Sequence, residues 1–186
     1  MVDAYIAQKK FDEALSMLKL LEAEEKFPKR LKSQLTLRNA DYYLKQEDYQ
    51  NAIAPLEEGI KLTKKKKPKA RYNFILAQCY EVNGNNNAAL ENYKKVLKYN
   101  PTYEMEFNAK LKIAKTIIGA DAGSIAEAKR ILKSMLHDEK NEEFLDQIYF
   151  ALAEMALKEN NEDDAIDYLI LAAQKSKNNK KQKAFA

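Results

Sequence analysis

YYLKQEDYQNAIAPLEEGI, residues 42–60, reads as two amphipathic helices folded against each other across a break at Glu47–Asp48. Apolar residues recur at helical spacing on both sides, and Asp48 stands where its carboxylate can accept the free amides that begin a second helix. The phrase recurs. Aligned on a small residue before an apolar one, the chain shows FDEAL (11–15), YQNAI (49–53), NNAAL (86–90), IAEAK (125–129) and EDDAI (162–166). The anchoring alanines Ala14, Ala52, Ala89, Ala128 and Ala165 are spaced by 38, 37, 39 and 37 residues, a period too regular for chance.

Each anchor falls early in a second helix. In YNFILAQCYEVNGNNNAALENYKKVLKYNP, Leu76, Ala77 and Tyr80 stripe the first helix, Gly84 opens the turn, and Ala89, Tyr93 and Leu97 stripe the second before Pro101. Asn161 with Glu162–Asp164 repeats the Asp48 device, and Ser124 with Glu127 has capping-box spacing. Pro28, Pro68, Gly84, Pro101, Gly119 and Gly123 are expected at turns or unit boundaries. Pro55 is expected early in its helix, and Gly59 at a close-packing position.

These residues resemble the tetratricopeptide repeat, a helix–turn–helix unit with small residues where paired helices approach. The resemblance implies an all-α, α-α superhelix: one solenoid over 1–186 with repeats at 1–28 (partial), 29–68, 69–101, 102–139 and 140–175. Residues 176–186 would begin a further helix or form a disordered tail. The spacing exceeds the family's usual 34, so extended loops are expected at KKKKPK (64–69) and TIIGADAGS (116–124). The register around MEFNAKLKIAKTII stays open. A repeat cannot bury its apolar face alone, so the chain reads as a fragment of a longer array.

Bulk properties agree with a folded helical chain: 46% apolar residues, 32% charged, and only four glycines and four prolines. No apolar run approaches eighteen residues, and the N-terminus lacks a signal-peptide pattern. Chemistry is hard to find. One cysteine, Cys79, excludes an intramolecular disulfide and a thiolate zinc cluster, and reads as a small buried thiol. The single histidine, His137, suits a helix end. The pairs Glu142–Glu143 and Asp163–Asp164 fall in expected first turns. No phosphate-binding glycine loop or metal-ligand spacing is present. The reading is a non-enzyme with no catalytic, cofactor or metal residues.

In the repeat family, first helices line the concave face. The resemblance therefore places partner contacts at Leu37, Asp41 and Leu44, at Phe74, Gln78 and Glu81, and at Phe150, Glu154 and Leu157. Aromatics among carboxylates suit an amphipathic peptide or protein partner. Leu37, Asp41 and Ile75 stand where a carboxylate clamp of the chaperone-tail type would place cationic or amide groups, which disfavours that ligand. An alternative function is nucleic-acid or anionic-polymer binding through the basic loop Lys61–Arg71, with Lys61, Lys64, Lys65, Lys66, Lys67, Lys69 and Arg71. A solvated loop is the plainer reading of that run, so nucleic acid is the less favoured partner.

Longer phrases carry a narrower likeness. LRNADYYLKQEDYQNAIAPLEEGI, KKKKPKARYNFILAQCYE, YEMEFNAK and DEKNEEFLDQIYFALAEMA resemble the SprE/PorW tetratricopeptide lipoproteins of Bacteroidetes. That family serves gliding motility and type IX protein secretion. The resemblance implies a periplasmic scaffold, lipid-anchored at the outer membrane, with any anchor lying outside this sequence.

Overall fold

The computed structural model describes residues 1–120 and 124–176. Among the described residues ten α-helices follow one another: α1 Val2–Ala7, α2 Phe11–Ala23, α3 Lys32–Lys45, α4 Tyr49–Leu62, α5 Lys66–Val82, α6 Asn86–Lys98, α7 Tyr103–Ala120, α8 Ile125–Leu136, α9 Leu145–Lys158 and α10 Glu162–Lys175. Short 3-10 turns, Lys29–Leu31 and Glu139–Phe144, precede α3 and α9. The described residues contain no strand. Two compact units divide the chain, Met1–Asn100 and Pro101–Ala186.

Consecutive helices pair as α1–α2, α3–α4, α5–α6, α7–α8 and α9–α10. The five anchoring alanines explain how they approach. Ala14, Ala52, Ala89 and Ala128 are 0% exposed and Ala165 is 1% exposed. A methyl there lets two helix backbones come close, where a larger side chain would hold them apart. Gly59 takes the principle further: a Cβ at that position would lie 2.5 Å from Leu37 Cδ2. In the N-terminal unit one apolar cluster joins α1, α2 and α3 through Val2, Ile6, Leu18 and Leu35. A second joins α3, α4 and α5 through Ala40, Leu56, Leu76 and Cys79.

One turn is used four times. Lys9, Glu47, Gly84 and Asn160 adopt positive φ, between 58° and 74°. The next residue's amide then bonds back five residues: Lys10 to Tyr5, Asp48 to Tyr43, Asn85 to Tyr80, and Asn161 to Ala156, at 2.9–3.0 Å. The amides of Lys9, Glu47, Gly84 and Asn160 themselves reach Ile6, Leu44, Glu81 and Leu157 at 3.0–3.1 Å. This is the Schellman ending, which satisfies carbonyls that a terminated helix leaves free. Its last residue is at once the N-cap of the following helix. Asp48, Asn85 and Asn161 accept from the amides of Asn51, Ala88 and Asp164 at 3.1–3.2 Å. The sharp bend at Glu47–Asp48 is therefore a C-cap and an N-cap fused.

Several local expectations are corrected. The stretch 64–69 is mostly helical, because α5 begins at Lys66 and Pro68 sits in its first turn, where an amide has no intrahelical partner anyway. Gly119 lies inside α7, which runs to Ala120, so TIIG is helix and not loop. Packing overrides the glycine there, since Ile117 and Ile118 are buried. Gly123 and the 177–186 part of the expected terminal segment lie outside the described residues. Ser124 occupies the N-cap of α8 without a side-chain cap bond. Pro55 is the seventh residue of α4, past the free amides, so it removes an interior hydrogen bond. Glu142 and Glu143 belong to the 3-10 turn rather than to the first turn of α9.

Candidate partner-binding faces

On α3, Leu37, Asp41 and Leu44 follow each other at helical spacing and share one stripe. They line a groove of about 290 Å³ with Arg71, Tyr72 and Ile75 of α5. Asp3 of α1 holds Arg38 through two bonds, 2.8 Å to Nε and 2.9 Å to Nη2, on another wall of the same groove. Apolar and polar side chains share the lining, and Asp41 and Arg71 give it charges of both signs. Such a surface suits an amphipathic segment with one or two ionic contacts.

Phe74, Gln78 and Glu81 are placed differently. Gln78 is exposed. Phe74 is half-buried, its ring edge-on to Tyr93 with centroids 5.3 Å apart. Glu81 accepts a 2.6 Å hydrogen bond from the Tyr93 hydroxyl. Burial first, and Glu81 second, raise the Tyr93 phenol well above its ordinary range, so it stays a neutral donor. Phe74 and Glu81 thus hold α5 to α6. The neighbouring Tyr80 donates to Glu57 at 2.8 Å, with its pKa pushed up to about 12 by burial and then by that carboxylate.

In the C-terminal unit Lys115 of α7 organises the face. Its ammonium lies 2.9 Å from Glu154 and 5.2 Å from the centre of the Phe150 ring, both on α9. Leu157, 54% exposed, lines a groove of about 420 Å³ with Lys115, Ile118, Gly119, Glu154 and Lys158. Phe150, Glu154 and Leu157 are thus gathered beside one cation. Lys115 and Ile118 were not legible beforehand, because the register of α7 was open. The partner of α7 on this face, α9, is also not its neighbour in sequence.

The basic run divides over three elements. Lys61 lies in the last turn of α4, Lys64 and Lys65 lie in a three-residue connection, and Lys66, Lys67, Lys69 and Arg71 are on α5. It is not a loop. Cys79 is 1% exposed, and burial raises its thiol to about 11. His137 is the C-cap of α8, with Nδ1 2.7 Å from the Lys133 carbonyl. Among the described residues no group of His, Cys, Asp and Glu could hold a metal ion, and no helix is long and apolar enough to cross a membrane.

Comparison with known proteins follows this geometry. Residues 37–104 match the family model of the tetratricopeptide repeat. That segment runs from within α3 through α4, α5 and α6. No curated protein matches the chain by sequence. The crystal structure of MamA is similar in fold, with a TM-score of 0.71 at 16% identity, covering 100% of this chain and 98% of that one. BtubC (BKLC) from P. vanneervenii aligns with a TM-score of 0.62 at 14% identity, over 94% of this chain and 76% of that chain. The fold is all-α and tetratricopeptide-like.

Proposed function

We propose that the protein is a non-catalytic scaffold that holds a protein or peptide partner on the faces built by its first helices. The observation that carries this reading is an apolar lining, half-buried in one unit and exposed at Leu157 in the other, beside unlike charges. In one it is Leu37, Leu44 and Ile75 with Asp41 and Arg71; in the other, Leu157 with Lys115 and Glu154. An amphipathic segment would bury the apolar part and meet the charges at its rim. Contacts of Gln78 and Phe150 with the partner belong to the same reading, while Phe74 and Glu81 support the hairpin behind it.

The narrower role rests on the resemblance of longer phrases to SprE/PorW proteins: a component of type IX secretion and gliding motility machinery, periplasmic and lipid-anchored at the outer membrane. Crosslinking pull-down from a Bacteroidetes lysate tests it. Wild-type protein is expected to capture an envelope protein, and a Leu44→Lys/Leu157→Lys variant to lose it. Capture of no envelope protein contradicts the secretion role. Equal capture by the variant contradicts the use of these faces.

A further inference from the structure

The fold gathers more positive charge at one end of the N-terminal unit than the run 61–71 contains. Ser33 Oγ meets Thr63 Oγ1 at 2.9 Å, which puts the start of α3 beside the end of α4. Lys69 Nζ lies 5.7 Å from the centre of the Tyr99 ring, which puts the end of α6 beside the start of α5. Four helix ends therefore converge. Residues 59–71 supply seven cations and residues 92–98 three more, and neither 59–80 nor 92–103 contains an Asp or Glu. Lys29, Arg30 and Lys32 add to the α3 side. Lys32 meets Glu58 only at 4.0 Å.

At the start of α5 this charge opposes the fold, whereas Lys61, Lys95 and Lys98 sit in last turns, where cations suit the helix dipole. Lys65 is the N-cap of α5, with no side-chain cap bond; Lys66 and Lys67 follow, and the first turn holds no acid. Cations at a helix N-terminus oppose the amide dipoles. A sequence that breaks a local rule over several positions is paying for function elsewhere.

We propose that this end docks on an anionic lipid surface. Three features favour lipid over nucleic acid. Nine of the ten cations in 59–71 and 92–98 are lysines, compact charges suited to mobile headgroups and not to the forked pairing that arginine gives with bases. Leu62, 39% exposed, stands between Lys61 and Lys64, placed to enter the headgroup boundary while the lysines reach around it. Tyr99, which could stack a base, has Lys69 over its ring. The surface is separate from the groove proposed for the protein partner, although Arg71 borders both.

Flotation with phosphatidylcholine vesicles, plain or carrying about 30% phosphatidylglycerol, tests this directly. The chain is expected to float with the anionic vesicles alone, less so as salt rises. Lys64→Glu/Lys65→Glu/Lys67→Glu lowers partitioning by about a hundredfold or more, at roughly fivefold per charge. Lys98→Glu, outside the run, lowers it by about fivefold or more; Leu62→Gln lowers it several-fold; Lys45→Glu, at the opposite end of α3, leaves it unchanged. The triple variant places acids at a helix start, so its thermal midpoint should hold or rise, which separates lost docking from lost folding. Equal binding to neutral vesicles, or full binding by the triple variant, overturns the proposal. So does mixed-sequence single-stranded RNA binding tighter than the vesicles in the same salt with Leu62→Gln without effect.

Discussion

Gly84 is the glycine whose backbone the fold requires. At φ +74° it occupies the turn position that Lys9, Glu47 and Asn160 fill at a steric cost. Nothing lies within 4 Å of a Cβ added there, so Gly84→Ala meets only backbone strain. We expect it to cost about 1 kcal/mol, read by urea denaturation. Cys79 carries a prediction in pH. Burial raises its thiol from 9.0 to about 11, so the unfolded chain releases that proton first. The thiol's contribution is whole below pH 9.0 and is lost as pH climbs to about 11. Cys79→Ala lacks that loss. Its stability deficit against wild type should therefore narrow across this window, and a constant deficit in paired denaturation curves would contradict the assignment.

At the scale of the element, caps were readable and turns only half so. Asp48 and Asn161 have an evident use before a helix, and each makes the amide bond expected of it; Asn85 makes the same bond, whereas Ser124 makes none. The left-handed residue just before is invisible when it is Lys9, Glu47 or Asn160, since only glycine advertises that conformation. The stripe Leu37, Asp41, Leu44 was legible because one helix face obeys one period. Phe74 and Glu81 lie near the edge of such a stripe, and the partner that takes them, Tyr93, sits on the next helix. Lys115 needed a pairing of α7 with α9 that skips α8 in the chain. The start of α5 offers a test of its own. Lys66→Glu should raise stability by about 0.3–1 kcal/mol through the helix dipole, and thermal unfolding at low salt reads it. A loss of stability would mean that the lysine is needed for folding.

Across the whole molecule, five short phrases spaced by 37–39 residues specify five helix pairs, and charge is distributed unevenly over them. Residues 1–100 carry 19 Lys and Arg against 13 Asp and Glu, a net +6, whereas residues 101–186 carry 13 against 15, a net −2. Such asymmetry governs what each unit attracts; it does not determine how the helices pack. Packing rests on the alanines. Urea unfolding of Ala14→Leu, Ala52→Leu, Ala89→Leu, Ala128→Leu and Ala165→Leu, each compared with wild type, tests this most directly. Every variant should lose about 1–3 kcal/mol, since leucine cannot fit between helices in methyl contact. Midpoints and slopes unchanged from wild type would contradict it.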